Sequence, residues 1–291
     1  MSAADVHASW GGSAFNRGLV FRLAEMGCKV LGRRGALAAS DSLMDWYQGA
    51  SPGTAAAVAS NLRLAFPSLP ARDVEDLAAR TFRNYGRGVV DYLTAEAHPP
   101  VILPDDGSEE RLRSVTGGKI LVTSHMGNWE VGGLLLGRTV GPHAVVGFPE
   151  RDPGVESFRK TKRGSAGLQT LSARSGLATL FQLREILGRG ESIVVLADRN
   201  AGTDSQEVVF RGRPSRFLRS PALLARLASV PLMPTAVMAE EPGRYRAFVG
   251  APVMPGEPSA VMQEVADFFG DVLERYPDQW YNFFRYWREE P

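Results

Sequence analysis

Cysteine is almost absent from this chain of 291 residues, which contains only Cys28. A single thiol cannot form an internal disulfide or supply the thiolates of a structural metal site. The histidines His7, His98, His125 and His143 show no metal-ligand spacing to one another or to the cysteine. We therefore expect no metal, no other cofactor and a reducing, cytoplasmic compartment. Cys28 lies in an apolar helical stretch and is expected to be a core residue.

Long apolar runs are missing as well. No segment approaches the roughly 18 apolar residues that a membrane-spanning helix needs, and the N-terminus lacks the uninterrupted apolar stretch of a signal peptide. If the substrate is a membrane lipid, the protein is expected to lie on the bilayer surface rather than cross it. The corresponding location is the cytoplasmic face of the inner membrane, as a peripheral protein.

Neither sign of charge dominates, because 33 Lys and Arg residues oppose 32 Asp and Glu residues. A formal net charge of +1 argues against a nucleic-acid partner. Only four of the positive residues are lysines, and the arginine bias suits planar, bidentate contacts with phosphate. Codon usage in a GC-rich gene gives the same bias. Most arginines, including Arg159 and Arg163, are therefore expected to be solvated surface residues.

The first 98 residues have a helical pattern. Between Phe15 and Leu31, apolar side chains recur at helical spacing while basic side chains occupy the other faces. Two interpretations fit this segment: a basic amphipathic helix in the membrane interface, or a helix packed on the domain core. Further helices are predicted over 36–47, 54–65 and 72–94.

After residue 100 the pattern changes to alternating strands and helices. Strands are predicted at 120–123, 144–148, 193–197, 208–210, 232–238 and 245–249. Helices are predicted at 155–165, 177–187, 221–228 and 259–276, and the run 131–136 is predicted to begin another helix. Such alternation indicates an α/β fold with helices on both faces of a sheet. We predict a single domain over residues 1–291, with a mainly helical part over 1–98 and an α/β core over 99–291.

A polar turn follows the apolar run 120–123 and carries His125 and Glu130. Histidine can take up and return a proton near neutral pH, because its unperturbed pKa is close to that pH. A nearby carboxylate can hold the required tautomer and stabilise the imidazolium. Gly127, between the two, allows a tight turn or a close approach to a substrate. The pattern predicts a general base at His125.

Two carboxylates compete to orient His125. Glu130 is close in sequence, although five positions is not the best spacing for one face of a helix. Asp198 follows the predicted strand 193–197 and can reach His125 across the sheet, since sites gather at the carboxyl ends of strands. We expect Glu130 to be the orienting group and Asp198 to be a second partner or a substrate ligand. A buried ion pair with Arg199 is the structural alternative for Asp198.

The segment His125-Met-Gly-Asn-Trp-Glu130 resembles the His–four residues–Asp/Glu box of lipid acyltransferases. Its Gly-Asn-Trp filling is similar to the branch that contains the late acyltransferases of lipid A biosynthesis and the phosphatidylinositol mannoside acyltransferases. Further segments resemble motifs of this family in the same order: 196–200, 208–214, 221–234 and 277–287. Each box alone is weak evidence, but several in the right order are strong. The resemblance runs from about Asn61 to the C-terminus.

This resemblance implies an α/β fold with a glycerolipid-acyltransferase-like mixed sheet flanked by helices and a helical N-terminal region. It also implies catalytic roles for His125, Glu130 and Asp198. In such an enzyme His125 removes a proton from a hydroxyl, or less readily an amine, of a lipid or glycolipid acceptor. The nucleophile then attacks the thioester of an acyl carrier protein or of coenzyme A. No covalent enzyme intermediate is expected, because a Gly-x-Ser-x-Gly elbow is missing.

Substrate binding is predicted beside the motif residues. An acceptor with a phosphate or sugar-phosphate head group needs cationic donors. Arg151 follows a strand end where the family also has a basic residue, and Arg199 and Arg213 lie next to motif residues. A tetrahedral oxyanion needs N–H donors as well, and the backbone amides of Gly127 and Asn128, or Arg199, are the candidates.

Two features depart from the family pattern. Arg213 follows Gly212 where the family has a small residue, and Asn282-Phe-Phe stands where the lipid A branch has an arginine-rich aromatic ending. The sequence therefore does not identify the acceptor lipid. The aromatic end, from Trp280 to Trp287, fits either an interfacial belt or a plug buried against the sheet, and we favour packing near the site.

Two other functions use the same residues differently. A thioesterase or other hydrolase would use the histidine–carboxylate pair to activate water instead of a lipid hydroxyl. A non-catalytic lipid-binding protein would keep the fold without the chemistry. Product analysis with and without a lipid acceptor separates the first of these from an acyltransferase.

Overall fold

The computed structural model describes residues 17–141, 143–147, 150, 152–173, 177–199 and 202–287. Positions used in the predictions above that lie outside these ranges include His7, Phe15, Phe148, Arg151 and Asn200. The helical N-terminal part consists of α1 (Gly18–Ala50), α2 (Pro52–Ala65) and α3 (Ala71–Thr94).

Helix α1 replaces two predicted helices. The helical run is interrupted at Gly32, whose φ of 66° and ψ of 168° are non-helical. Glycine reaches such a positive φ at little cost, so α1 has an N-terminal half before Gly32 and a C-terminal half after it. The C-terminal half packs closely on α3: Arg83 and Arg87 of α3 bind Asp45 and Asp41 of α1, respectively.

Alternating strands and helices follow. Their bounds are β1 (Val101–Pro104), α4 (Ser108–Ser114), β2 (Lys119–Thr123), α5 (Trp129–Val140), β3 (His143–Gly147), α6 (Pro153–Ser165), β4 (Gln169–Ser172), α7 (Leu177–Gly188), β5 (Ser192–Leu196), β6 (Gln206–Phe210), β7 (Arg213–Phe217), α8 (Ser220–Ala228), β8 (Leu232–Glu241), β9 (Arg244–Val249), α9 (Pro258–Arg275) and the 3₁₀ turn Pro277–Gln279. The sequence pattern did not predict β1, α4, β4 or β7.

Seven strands form one mixed sheet in the order β1-β9-β8-β2-β5-β3-β4. The five strands from β8 to β4 run parallel, β9 is antiparallel to β8, and β1 is parallel to β9. β6 and β7 form a separate antiparallel pair. The predicted fold class, a mixed α/β sheet flanked by helices, is confirmed. The assignment to a single domain stays a prediction.

The sheet is covered on both faces. All five residues of β2 are buried, as the continuous apolar run of a central parallel strand predicts. Ile120 and Val122 join the large core cluster, whereas Leu121 joins a smaller cluster with Leu112 of α4. This alternation follows from the two-residue period of a strand. Because both faces of the sheet are covered, polar side chains can gather at the edge formed by the carboxyl ends of the parallel strands.

Candidate active site

His125 and Asp198 meet at this edge of the sheet. They lie just beyond the ends of the neighbouring parallel strands β2 and β5, where Thr123 stands opposite Leu196. His125 Nδ1 and Asp198 Oδ1 are 2.7 Å apart. The Asp198 side chain is 1% exposed and that of His125 is 21% exposed. The carboxylate is therefore enclosed, and the imidazole remains partly accessible.

The surroundings favour a neutral imidazole beside an ionised carboxylate. Burial lowers the pKa of His125, and the charge of Arg199 lowers it further, against the opposing effect of Asp198. Burial acts to raise the pKa of Asp198, but the His125 contact and the charge of Arg199 outweigh it and hold that pKa below its usual value. The carboxylate then accepts a hydrogen bond from the Nδ1–H group, and Nε2 keeps the lone pair that a general base needs.

Glu130 does not orient His125, and that expectation was wrong. Glu130 lies in the first turn of α5, where it accepts hydrogen bonds from Arg163 Nη2 at 2.7 Å and Nε at 3.2 Å. Arg159 Nη1 lies 3.6 Å away. Burial opposes ionisation of Glu130, but these two arginines prevail and lower its pKa. The carboxylate thus fixes α6 against α5.

The two arginines on α6 are correspondingly not solvated surface charges. The side chains of Arg159 and Arg163 are only 20% and 12% exposed, and Arg159 also binds Glu150 at 2.5 Å. Their spacing of four residues places both on one face of the helix. That spacing was the available sequence signal, but it did not identify Glu130 as the partner of the two arginines.

Gly127 and Asn128 are engaged by the protein itself. Gly127 has a φ of 56°, and a Cβ there would overlap the carbonyl oxygen of Val237, so this position requires glycine. The Gly127 N–H donates to Gln279 O at 2.8 Å, and the Asn128 N–H donates to Val237 O at 2.7 Å. Both amides are therefore already hydrogen-bonded, which corrects their assignment as oxyanion donors.

The Asn128 side chain is also fully used, and its role is to hold the turn in place. Its Nδ2 donates to Gly88 O and to Tyr245 OH, both at 3.0 Å. Its Oδ1 accepts from Val131 N at 3.2 Å in the first turn of α5. This residue therefore joins α3, β9 and the start of α5 around the His125 turn.

The predicted arginines occupy different places. Arg199 lies beside the pair but donates to Asn282 Oδ1 at 2.8 Å and Tyr281 O at 2.9 Å. It thereby anchors the aromatic end of the chain. Arg213 donates to Leu64 O of α2 at 3.2 Å, so its hydrogen bond is to the helical part rather than to the catalytic pair. Arg151 is outside the described residues.

The aromatic end is a buried plug, as favoured. Trp280, Tyr281, Phe283, Phe284 and Trp287 are all at most 8% exposed. The Tyr281 N–H donates to His125 O at 2.8 Å, and the Tyr286 hydroxyl donates to Asp198 O at 2.8 Å. This segment therefore contacts the backbone of both members of the pair.

Asn61 secures that segment and was missed as a site-supporting residue. Its Nδ2 donates to Asn282 O at 2.9 Å and Phe284 O at 2.7 Å, and its Oδ1 accepts from Tyr286 N at 2.9 Å. It is 2% exposed. A polar residue on the apolar face of α2 was the available sequence signal, but it did not reveal the partner.

A cleft with aromatic walls lies beside the pair; its cavity volume is about 40 Å³, and it is partly open to solvent. Phe21, Tyr92, Trp129 and Tyr281 line it together with Arg159 and Glu130. The ring centroids of Trp129 and His125 are 5.2 Å apart. Apolar walls with a few polar groups suit an amphipathic ligand. Within the described ranges, no three histidine, cysteine or carboxylate side chains group closely enough to hold a metal ion.

The chain is similar to a family of known bacterial proteins. Residues 26–289 match the family described as bacterial lipid A biosynthesis acyltransferase. A phosphatidylinositol mannoside acyltransferase of Mycobacterium tuberculosis is 26% identical over 166 residues, covering 56% of this chain and 52% of the relative. That of Mycolicibacterium smegmatis is 29% identical over 168 residues, covering 56% and 55%. The chain thus spans about half the length of these curated relatives.

Proposed function

Because the chain belongs to the bacterial lipid A biosynthesis acyltransferase family, we propose that it transfers a fatty acyl chain from a thioester to a hydroxyl of a lipid or glycolipid. The observation that carries this proposal is the His125–Asp198 hydrogen bond of 2.7 Å. It supplies a neutral base next to a cleft with aromatic walls. The acyl donor in this proposal is an acyl carrier protein or coenzyme A.

His125 Nε2 takes the proton of the acceptor hydroxyl as the oxygen attacks the thioester carbonyl. Asp198 stabilises the imidazolium that forms and keeps the ring in the productive tautomer. Collapse of the tetrahedral intermediate breaks the carbon–sulfur bond, and the departing thiolate takes the proton from His125. The reaction is redox-neutral, and the proposed steps use no metal or cofactor. The oxyanion must take donors other than the Gly127 and Asn128 amides, which are already bonded.

We also propose that the protein binds the membrane surface through α1, peripherally and at the cytoplasmic face of the inner membrane. Within the described residues, no helix is both long enough and apolar enough to cross a bilayer. The N-terminal half of α1 nevertheless exposes five large apolar side chains. Their exposed fractions are Leu19 68%, Leu23 51%, Met26 55%, Val30 80% and Leu31 55%. Arg17, Arg22 and Lys29 are exposed on the same segment, a combination typical of an interfacial helix.

The experiment that tests the transfer reaction uses purified protein with acyl carrier protein and coenzyme A thioesters and a panel of lipids. Products are read by mass spectrometry. The proposal predicts an acylated lipid whose formation requires both donor and acceptor. Release of free fatty acid at the same rate with and without every acceptor would instead make the protein a thioesterase. No turnover of any thioester would favour the non-catalytic lipid-binding alternative.

A further inference from the structure

A buried carboxylate on α3 has no part in the proposed chemistry. Asp91 is 2% exposed and accepts three hydrogen bonds. Its Oδ1 accepts from Arg33 Nη2 at 2.7 Å, and its Oδ2 accepts from Gly243 N at 2.7 Å and the Tyr245 hydroxyl at 2.6 Å. A buried charge is tolerated only when it is paired and hydrogen-bonded in this way.

The chain of hydrogen bonds continues to the proposed active site. The Tyr245 hydroxyl accepts from Asn128 Nδ2 at 3.0 Å. Burial and the charge of Asp91 raise the pKa of Tyr245 well above its usual value, so the hydroxyl keeps the proton that it donates to Asp91. Asn128 lies three residues after His125 and caps the helix that follows the turn. The last member of the chain therefore fixes the loop formed by residues 125–130.

The other end of this series of hydrogen bonds lies at Arg33, next to the break in α1. Arg33 follows Gly32 directly, where the backbone leaves the helical conformation. The N-terminal half before this break contributes Phe21 to the wall of the cleft and exposes its apolar side chains on the opposite side. A shift in the position of this N-terminal half on the protein would therefore displace Arg33 first.

We propose that Arg33, Asp91 and Tyr245 are positioning residues. They couple the position of the N-terminal half of α1 on the protein to the geometry of the 125–130 loop. Asp91 is the junction, because it binds both Arg33 and Tyr245. Loss of Arg33 leaves the carboxylate without its counter-charge, and Tyr245 and Asn128 then readjust. The predicted effect on rate rests on the proposed acyl transfer, but the link between α1 and the loop can be measured without any substrate.

The test compares Arg33→Gln with Arg34→Gln, a neighbouring exposed arginine, by hydrogen–deuterium exchange of the Gly127 and Asn128 amides. Exchange should be about tenfold faster in Arg33→Gln because these amides open locally more often, and unchanged in Arg34→Gln. Tyr245→Phe should give a similar increase. The double variant Arg33→Gln/Tyr245→Phe should exceed neither single variant, since both interrupt one chain of bonds.

Kinetics provides the second readout. Arg33→Gln should lower kcat about tenfold, because the loop that carries His125 is displaced, and the KM for the acyl thioester should change less than kcat does. Arg33→Lys should recover part of kcat by retaining the charge next to Asp91. Faster exchange with an unchanged kcat would overturn the role in catalysis.

Two results would overturn the structural link itself: unchanged exchange in Arg33→Gln, or additive effects in the double variant. If Tyr245→Phe does not fold, Arg33 carries the test alone, because its side chain is 25% exposed. An inactive wild-type protein would count against the proposed function only, since the exchange experiment needs no turnover.

Discussion

The protonation of His125 depends on its burial and on the charges beside it. Burial and Arg199 lower its pKa, and Asp198 raises it. The neutral form is therefore present at neutral pH and is lost only when the pH falls through a pKa below that of an ordinary histidine. The value of kcat/KM should fall on the acid side with a slope of one, with its midpoint below that ordinary value.

Replacement of Asp198 by asparagine tests this arrangement. Asp198→Asn removes the charge that favours the imidazolium, so the acid midpoint of any residual activity should move to lower pH. The rate should fall about a hundredfold or more, because an amide can hold the wrong tautomer. The measurement is kcat/KM against pH for both proteins. A midpoint that moves upward, or an unchanged rate, would contradict the assignment.

The sequence pattern identified both carboxylates, but it led to Glu130 rather than Asp198 as the partner of His125. Glu130 was favoured because it is close to His125 along the chain. Its partner Arg163 is 33 positions away, and nothing in the local pattern shows that α6 packs against α5. Asp198 could be placed near His125 because sites gather at the carboxyl ends of parallel strands. Its 2.7 Å contact with His125 depends on the β2–β5 register, however, which a single sequence does not reveal.

The role of Glu130 in holding α6 leads to a prediction on stability. Glu130→Gln leaves Arg163 without a counter-charge at a site where both side chains are 12% exposed. Loss of one partner of a buried pair costs about 3–5 kcal/mol of the free energy of unfolding. The exposed pair Glu109–Arg113 is the control, and Glu109→Gln should cost less than about 1 kcal/mol. Equal urea midpoints for the two variants would contradict a role of Glu130 in holding α6 against α5.

At the scale of elements, α1 shows that two competing interpretations were not exclusive. One face of its N-terminal half packs on α6, where the Phe21 and Phe158 rings are 5.5 Å apart and Glu25 binds Lys162 at 2.7 Å. Cys28 is buried on the same helix, as expected from the sequence. The opposite face leaves Leu19, Leu23 and their neighbours exposed. Periodicity predicted an amphipathic helix but not which face meets the protein.

This two-faced helix leads to a flotation experiment with vesicles of phosphatidylglycerol and phosphatidylcholine. Leu23→Asp and Leu19→Asp should each lower the bound fraction about tenfold or more, because each removes apolar burial in the bilayer. Raised salt should weaken binding through the basic residues. Val209→Asp, at an exposed position outside α1, should bind as the wild type does. A wild type that never floats would leave α1 as a packing helix only.

The elements of the α/β core were largely predictable, and the two missed strands of the seven-stranded sheet share a cause. The buried strands β2, β3, β5, β8 and β9 carry apolar runs that periodicity detects. β1 (Val-Ile-Leu-Pro) and β4 (Gln-Thr-Leu-Ser) are edge strands of four residues, and segments this short become strands only through their neighbours. The end of the predicted strand at Phe148 lies outside the described residues.

For the whole molecule, the site is assembled from segments that are far apart in the chain. His125, Asp198 and Tyr281 come together at one edge, and Asn61 on α2 secures the last of them. The family motifs gave the right segments in the right order. They did not show that the aromatic end is a structural support, because that depends on tertiary hydrogen bonds between helix α2 and the C-terminal segment.

The catalytic role of His125 is tested by measuring acyl transfer by His125→Ala. The control is His98→Ala, which removes an exposed histidine. Both proteins are compared with the wild type by mass spectrometry of the acylated lipid and by thermal unfolding. We expect His125→Ala to fold but to lose transfer about a hundredfold or more, since a positioned base is removed, and His98→Ala to retain wild-type activity. A folded His125→Ala protein that transfers acyl chains at the wild-type rate would contradict the central claim.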